Sequence, residues 1–249
     1  MPKIEGRNPV YEALRGNRKI HRIFIQEKIS AEVIDDILEL AAEKKIPVSR
    51  ISSQKLDESA RSHAHQGVIA EADPLKEYGL ADIIKIKENK DGDALVVILD
   101  EIKDPHNFGA IIRTAYAAGA DAVVYQDRRA VGITPVVLKA AAGAAEHIPL
   151  VKVSNINYAI RDLKEAHFWI AGADAAAEQT HFEADLSGSI GLVIGSEGSG
   201  LRRLVRENCD FLVKIPMSGE LGSLNASVAA AIIIYEIFRQ RGKSKLRSK

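Results

Sequence analysis

Three stretches of this 249-residue chain gather glycine, serine, asparagine and charged residues in patterns that packing alone does not require. The first, LDEIKDPHNFGAIIRTA (Leu99 to Ala115), sets Asn107 at an expected helix start and Arg113 about two turns later. The second, IGSEGSGLRR (Ile194 to Arg203), holds Glu197 between Gly195 and Gly198. The third, IPMSGELGSLNASVAA (Ile215 to Ala230), puts Ser223, Asn225 and Ser227 on alternate positions where an Ala/Ile-rich helix begins. Asn and Ser are good helix caps. The free N–H groups and positive dipole end of a helix also attract polar or anionic ligands. A carboxylate between two glycines suits a ligand site or an exposed turn. Gly195 and Gly198 permit close backbone approach or simply a tight turn. Arg113 reads as an anion contact or as a surface arginine in a salt bridge, and Ile215, Met217 and Leu224 read as core.

Familiar signatures do not account for these loops. Gly195, Gly198 and Gly200 follow G-x-x-G-x-G, which is not the dinucleotide fingerprint. The GKS at Gly242 to Ser244 lacks the earlier glycine of a phosphate-binding loop. There is no H-E-x-x-H and no G-x-S-x-G elbow. A single cysteine, Cys209, excludes an internal disulfide and a multi-cysteine zinc site and suits a reducing, cytoplasmic setting. It reads as a small core residue. The start, MPKIEGRNPVYEAL, has no apolar leader segment, and the longest apolar run, Val228 to Tyr235, is too short to span a membrane.

The elements that must position the loops alternate. HRIFIQ, PVSRIS and HQGVIAEA read as short strands, with a helix over SAEVIDDILELAAEKKI capped by Ser30 between the first two. A charged stretch, LKEYGLADIIKIKENKDGDA, reads as a linker. Beyond it ALVVILD, DAVVYQ, WIAGAD, GLVIGSEGSG and FLVKIPM read as strands. Helices over NFGAIIRTAYAAGA, TPVVLKAAAGAAEHIP and the segment after Asn225 alternate with them, which predicts a mostly parallel α/β sheet. Ligands gather beyond the carboxyl ends of such strands, where the three loops fall. Trp169 reads as packing, and His63 and His65 as surface or hydrogen-bonded strand residues.

Charge is balanced, with 34 basic and 34 acidic residues, so bulk charge points to no partner. Its distribution is uneven. Arg15, Arg18, Lys19 and Arg22 lie in a stretch without an acid, and six cations without an acid fill Arg239 to Lys249. Such patches suit phosphate contacts, or ordinary surface and a solvated tail.

Together DPHNFGAIIRTA, VIGSEGSGLRR and IPMSGELGSLNASVAAAIIIYE resemble, in order and spacing, the three motifs of the SpoU (TrmH-like) RNA ribose 2′-O-methyltransferases of the SPOUT superfamily. IEGRNPVYEAL and HQGVIA resemble that family's substrate-binding domain. The likeness is strongest to the subgroup that methylates a guanosine of large-subunit (23S) rRNA, with tRNA as the competing substrate. It implies an α/β substrate-binding domain over residues 1–75, a linker over 76–93, a parallel-sheet methyltransferase domain with a C-terminal trefoil knot over 94–241 and a basic tail over 242–249. It further implies S-adenosylmethionine as cofactor, no metal, and a homodimer with the site near its interface. Asn107, Arg113, Glu197, Ser223 and Asn225 would then be catalytic, Arg113 as general base or, since a guanidinium stays protonated, as stabiliser of the developing alkoxide. Gly195, Gly198, Ile215, Met217, Leu224 and Asn225 would line the cofactor pocket, the apolar ones forming an adenine slot. Arg15, Arg18, Lys19 and Arg22 would contact RNA. A non-catalytic RNA-binding assembly factor would share the fold.

Overall fold

The computed structural model describes residues 1–60, 65–126, 130–219 and 222–247, with 243–247 described by their backbone alone. His63 lies outside the described residues, as do Ser248 and Lys249 of the basic tail. The chain divides into two compact units, Met1–Lys76 with Ala142–His147, and Glu77–Ala141 with Ile148–Lys249.

The first unit is a sheet of β1 (Lys3–Glu5), β2 (Ile20–Gln26), β3 (Val48–Ile51) and β4 (Val68–Ala72) in the order β1-β4-β2-β3. β4 runs antiparallel to β1 and β2, and β3 runs parallel to β2. Ile23 and Ile25 of β2 alternate inward and face Val68 and Ala70 in one apolar cluster. Helix α1 (Arg7–Arg15) contributes Val10, Ala13 and Leu14 to it, and α2 (Asp35–Glu43) contributes Ile37 and Ala41. The expected helix after Ser30 is broken. A 3-10 turn over Ala31–Val33 precedes α2, and Val33 is exposed. A further helix, α3 (Ser53–Ser59), is capped by Ser52, which accepts from Lys55 N at 3.4 Å. His65 is buried, hydrogen-bonded to Asp57 at 2.9 Å and accepting from Gly67 N at 3.1 Å.

The second unit is a parallel sheet of β5 (Leu95–Leu99), β6 (Ala122–Gln126), β7 (Leu150–Val153), β8 (Trp169–Ala173), β9 (Ile190–Ile194) and β10 (Phe211–Val213). Its order is β10-β8-β9-β5-β6-β7. β5 and β9 are adjacent in the middle and buried along their whole length, as their unbroken apolar sequences require. The strand order reverses beside them, so chain segments leaving β5 and β9 diverge and leave room for a ligand.

Helix α4 (Leu80–Glu88) stands in the stretch read as linker, because its one fully buried residue, Ile83, joins the core of this unit. Helix α5 (Pro105–Ala117) buries Phe108, Ile111, Ile112 and Ala115. Helix α6 (Pro135–Ala140) is shorter than expected. The chain leaves it with positive φ at Ala142 and Gly143, and Ala144–Glu146 form a 3-10 turn that belongs to the first unit. A side chain at Gly109 would come within 2.4 Å of Ala140 Cβ, so the small residues there serve the contact of α5 with α6.

Helix α7 (Ile156–Glu165) and α8 (Arg203–Asn208) flank the sheet, and α9 (Ala226–Arg247) closes the chain, continuing through the first part of the basic tail. Arg241 of that run is not a free cation, since it donates to the carbonyls of Ala94 at 2.8 Å and Gly188 at 2.9 Å. Trp169 begins β8 but is 62% exposed, contrary to the packing role expected of it.

Candidate active site

The three loops converge at the carboxyl ends of β5, β9 and β10. Asp104 after β5 caps α5, accepting from His106 N at 3.1 Å and Asn107 N at 3.3 Å. Asn107 is therefore not the cap. Pro105 fixes the first helical turn, and Asn107 follows in that turn with its side chain buried and aimed at the second loop. Its Nδ2 donates to Glu197 Oε1 at 2.9 Å.

Asn225 caps α9, its Oδ1 accepting from Ser227 N at 2.9 Å and Val228 N at 3.3 Å, and from the Ser227 hydroxyl at 2.6 Å. Its Nδ2 donates to Asn107 Oδ1 at 3.0 Å and makes a short contact with Glu197 Oε1. Ala226 N also points at that oxygen, at 3.4 Å. One carboxylate oxygen thus collects two side-chain amides and a backbone N–H at a helix N-terminus, where the dipole favours a negative charge. The alternate polar residues of the third loop are divided: Asn225 caps and bridges, Ser227 supports the cap, and Ser223 is exposed without joining them.

The glycine loop is built for close approach. A Cβ at Gly195 would lie 2.3 Å from Gly200 C and 2.4 Å from its carbonyl oxygen. Gly198 and Gly200 take φ of +83° and +64°, and Ser196 and Gly200 exchange backbone hydrogen bonds across the turn. The loop is anchored by a pair that the sequence pattern left unassigned. Asp100, fully buried at the end of β5, accepts from Arg202 N at 2.9 Å and Arg202 Nε at 2.7 Å. Arg202 also donates to Gln126 at 2.7 Å. An acid closing an all-apolar buried strand was the available signal, because such a charge needs a partner.

Beside this cluster opens a cavity of about 670 Å³, lined by Ile194, Gly195, Glu197, Gly198, Ile215, Met217, Ser223 and Leu224, with Ile233 of α9 beneath. Ile215, Met217 and Leu224 are part-exposed lining here rather than core. Asp174, Arg203, Arg206 and Lys214 form its charged side. Arg113 does not line it. It is exposed on the outer face of α5, and among the described residues none hydrogen-bonds its guanidinium.

The basic run of the first unit is not uniform. Arg15, Lys19 and Arg22 are exposed, with Arg15 over the Tyr11 ring at 5.7 Å and Arg22 over Phe24 at 5.8 Å. Arg18 is withdrawn: its Nε donates to Asp73 O at 2.6 Å and its Nη1 to Glu146 at 2.8 Å, both side chains almost fully buried. Burial raises the Glu146 carboxyl above its ordinary range, against the pull of Arg18. Among the described residues no group of His, Cys, Asp or Glu is arranged to hold a metal ion, and no helix is long and apolar enough to cross a membrane.

A parallel α/β sheet with an Asn–Glu–Asn cluster and a glycine-lined cavity at its strand ends, joined to a small α/β unit, defines a two-part α/β class with its ligand site at the strand ends. The SpoU rRNA methylase family model matches residues 94–235, and the model for RNA 2′-O ribose methyltransferase substrate binding matches residues 3–78. The chain belongs to the SpoU (TrmH) family of RNA ribose methyltransferases. YacO of Bacillus subtilis, whose name places it among TrmH family tRNA/rRNA methyltransferases, is 42% identical over 96% of this chain and 95% of its own. A Staphylococcus haemolyticus protein of the same family name is 44% identical over 96% of this chain and 95% of its own. The crystal structure of the SpoU methyltransferase AviRb from Streptomyces viridochromogenes, in complex with AdoMet, superposes with a TM-score of 0.79 at 26% identity, covering 96% of this chain and 89% of that one.

Proposed function

We propose that the protein transfers a methyl group from S-adenosylmethionine to a ribose 2′-hydroxyl of RNA, a guanosine of large-subunit (23S) rRNA being the preferred target. The observation that carries this reading is the Glu197–Asn107–Asn225 cluster, whose Glu197 lines the cavity while Asn107 and Asn225, the latter expected in the lining, stand behind it. The residues present fit the cofactor. The volume is that of a small-molecule site, Ile215, Met217 and Leu224 offer an apolar slot for an adenine, and Gly195 leaves backbone exposed to a ligand. Bound there, S-adenosylmethionine supplies an electrophilic methyl on a sulfonium.

The chain's own part is positioning and electrostatics. Glu197 places a fixed negative charge on the cavity wall, and Asn107 and Asn225 hold it in one orientation. Ser223, exposed at the rim, is left to the target nucleotide. Arg113 faces away from its own cavity, so it acts in that of a second copy, as phosphate contact and stabiliser of the developing alkoxide. A homodimer suits the exposed apolar stripe of α9, where Val228, Tyr235 and Phe238 lie on one face. Arg15, Lys19 and Arg22 remain the RNA contacts of the first unit, where the RNA 2′-O ribose methyltransferase substrate-binding model matches.

The test incubates the protein with labelled cofactor and either large-subunit rRNA fragments or tRNA, then maps 2′-O-methylated positions. Label in one rRNA guanosine is expected. Label in tRNA alone overturns the substrate, and label in neither leaves a non-catalytic RNA-binding factor. Mixing an Arg113→Ala chain with a Glu197→Ala chain is expected to restore activity that neither has alone; no restoration would remove the cross-copy role of Arg113.

A further inference from the structure

The charged side of the cavity has no part in the cluster around Glu197. Asp174 follows β8 directly, its backbone N–H bonded to Val213 O at 3.0 Å and its Oδ1 accepting from Ala176 N at 2.8 Å. The residue is thus pinned by its own N–H and its carboxylate by one backbone donor, and its side chain is only 15% exposed. Arg206 of α8 approaches its Oδ2 with Nε at 3.1 Å. The rest of that guanidinium is uncommitted: among the described residues its Nη1 and Nη2 donate no hydrogen bond. Both residues line the cavity.

Of the other charged lining groups, Lys214 follows β10, and Glu197 and Arg203 are placed differently. Glu197 commits its Oε1 to Asn107, Asn225 and Ala226 N and is part of the cluster at the other wall. Arg203 is turned outward to Glu207 at 2.7 Å and is largely exposed. A fixed carboxylate beside a half-free guanidinium is the complement of a zwitterion. An α-ammonium finds its counter-charge on Asp174, and an α-carboxylate meets the two open nitrogens of Arg206, whose planar fork matches carboxylate geometry. The apolar slot formed by Ile215, Met217 and Leu224 does not supply either charge.

We infer that Asp174 and Arg206 form the subsite for the amino-acid end of the cofactor, with Asp174 taking the ammonium and Arg206 the carboxylate. This deepens the cofactor reading above and rests on it. The site then recognises its ligand at two chemically distinct ends, and discrimination against adenosine derivatives that lack the amino acid resides in these two residues. No bond is made or broken at this subsite; it binds and orients.

Calorimetry on the full chain tests the assignment without turnover. The probes are S-adenosylhomocysteine, its decarboxylated analogue, which keeps the amine, and 5′-methylthioadenosine, which lacks both charges. Asp174→Asn and Arg206→Gln are each expected to weaken S-adenosylhomocysteine about tenfold, the scale of a hydrogen bond to a charged group. Affinity for 5′-methylthioadenosine should be unchanged by either. The decarboxylated analogue should respond to Asp174→Asn and not to Arg206→Gln. Arg206→Lys, which keeps the charge and loses the fork, should fall between wild type and Arg206→Gln for S-adenosylhomocysteine. Equal losses for all three probes would mean that the pair only shapes the cavity, and unchanged affinity for S-adenosylhomocysteine would remove the subsite; either result overturns the inference while leaving the cofactor reading intact. A wild-type chain that binds none of the three overturns both.

Discussion

Glu197 and Arg18 are both charges in runs that stand out in the sequence, and the structure uses them in opposite ways. Glu197 sits on a cavity wall and gathers donors from α5 and α9. Arg18, in the middle of a basic run, is withdrawn into a pair with Glu146, 128 positions away. The difference lies in what fixes each side chain. Glu197 lies between glycines at the end of a buried strand, and the loop geometry dictates where it points. A cation in a surface run is placed by whatever partner the fold brings to it, and that partner is invisible locally.

The strongest way to break the comparison is Glu197→Ala. It removes the acceptor shared by Asn107, Asn225 and Ala226 N, and methyl transfer is expected to fall about 100-fold or more, as for loss of one preorganised electrostatic group. Initial rates at saturating RNA are the measurement. Turnover within about threefold of wild type would deprive the cluster of a catalytic role.

Arg18→Ala comes next and should act on stability instead. Leaving Glu146 buried without its counter-charge is expected to cost about 3 kcal/mol at pH 7. The sign follows from the raised carboxyl of Glu146. The folded chain holds that proton more tightly than the unfolded one, so the contribution is present below the unfolded value of 4.5 and is lost as pH rises through the folded value. The penalty of removing Arg18 should therefore be largest at neutral pH and shrink towards pH 4, read from urea midpoints. RNA affinity of the folded variant should be that of wild type. Deleting residues 1–75 is a poorer probe, since it would also strip Glu146 and His147 of Arg18 and Glu12.

Smaller effects are expected from Arg15, Lys19 and Arg22 taken singly to alanine. Each should lower RNA affinity a few-fold and reduce the slope of log K against log salt by about 1. Arg18→Ala measured alongside sharpens the contrast, because its slope should not change. A slope that falls for Arg18 and stays fixed for the other three would reverse the assignment of the basic run.

What the sequence revealed divides along the same line. The continuous apolar strands β5 and β9, and the loops after them, were readable because burial on both faces leaves one pattern. Gly195 stood open in the sequence between ligand approach and a tight turn, and the structure shows that no side chain fits there against Gly200. Helix α4 was not readable, since a nine-residue helix with one fully buried residue looks like a charged linker. Helix α7 carries Ile156, Ala159, Ile160 and Leu163 at helical spacing behind its Asn155 cap, a pattern that is local and visible in the sequence. The end of α6 and the return of Ala142–His147 to the first unit depend on contacts with Glu12 and Arg18, which no local window contains. Trp169 misled for the same reason: its strand is apolar, and its own position lies at the exposed start.

Cys209 offers the mildest test and a third case, a residue read as packing that the structure keeps as packing. Its thiol donates to Val205 O at 3.3 Å, and a Cβ at Gly172 would lie 2.8 Å from Sγ. Burial, with smaller pushes from Asp210, Asp100 and Asp174 against the pull of Lys164, moves the thiol up to about 12. The thiolate is the reactive form. At pH 8 a thiol at its ordinary 9.0 is about one-tenth thiolate, and one at about 12 is about one part in ten thousand. Alkylation at pH 8 should therefore be slow in the folded protein and fast in urea, with loss of methyl transfer tracking unfolding rather than reagent. Because the folded value lies above the unfolded one, the contribution to stability is present below pH 9 and lost as pH rises towards 12. Rapid labelling of the native chain at pH 8 would place Cys209 with the exposed, available groups such as Lys19, and the contrast between loop-fixed and partner-fixed residues would lose its packing limit.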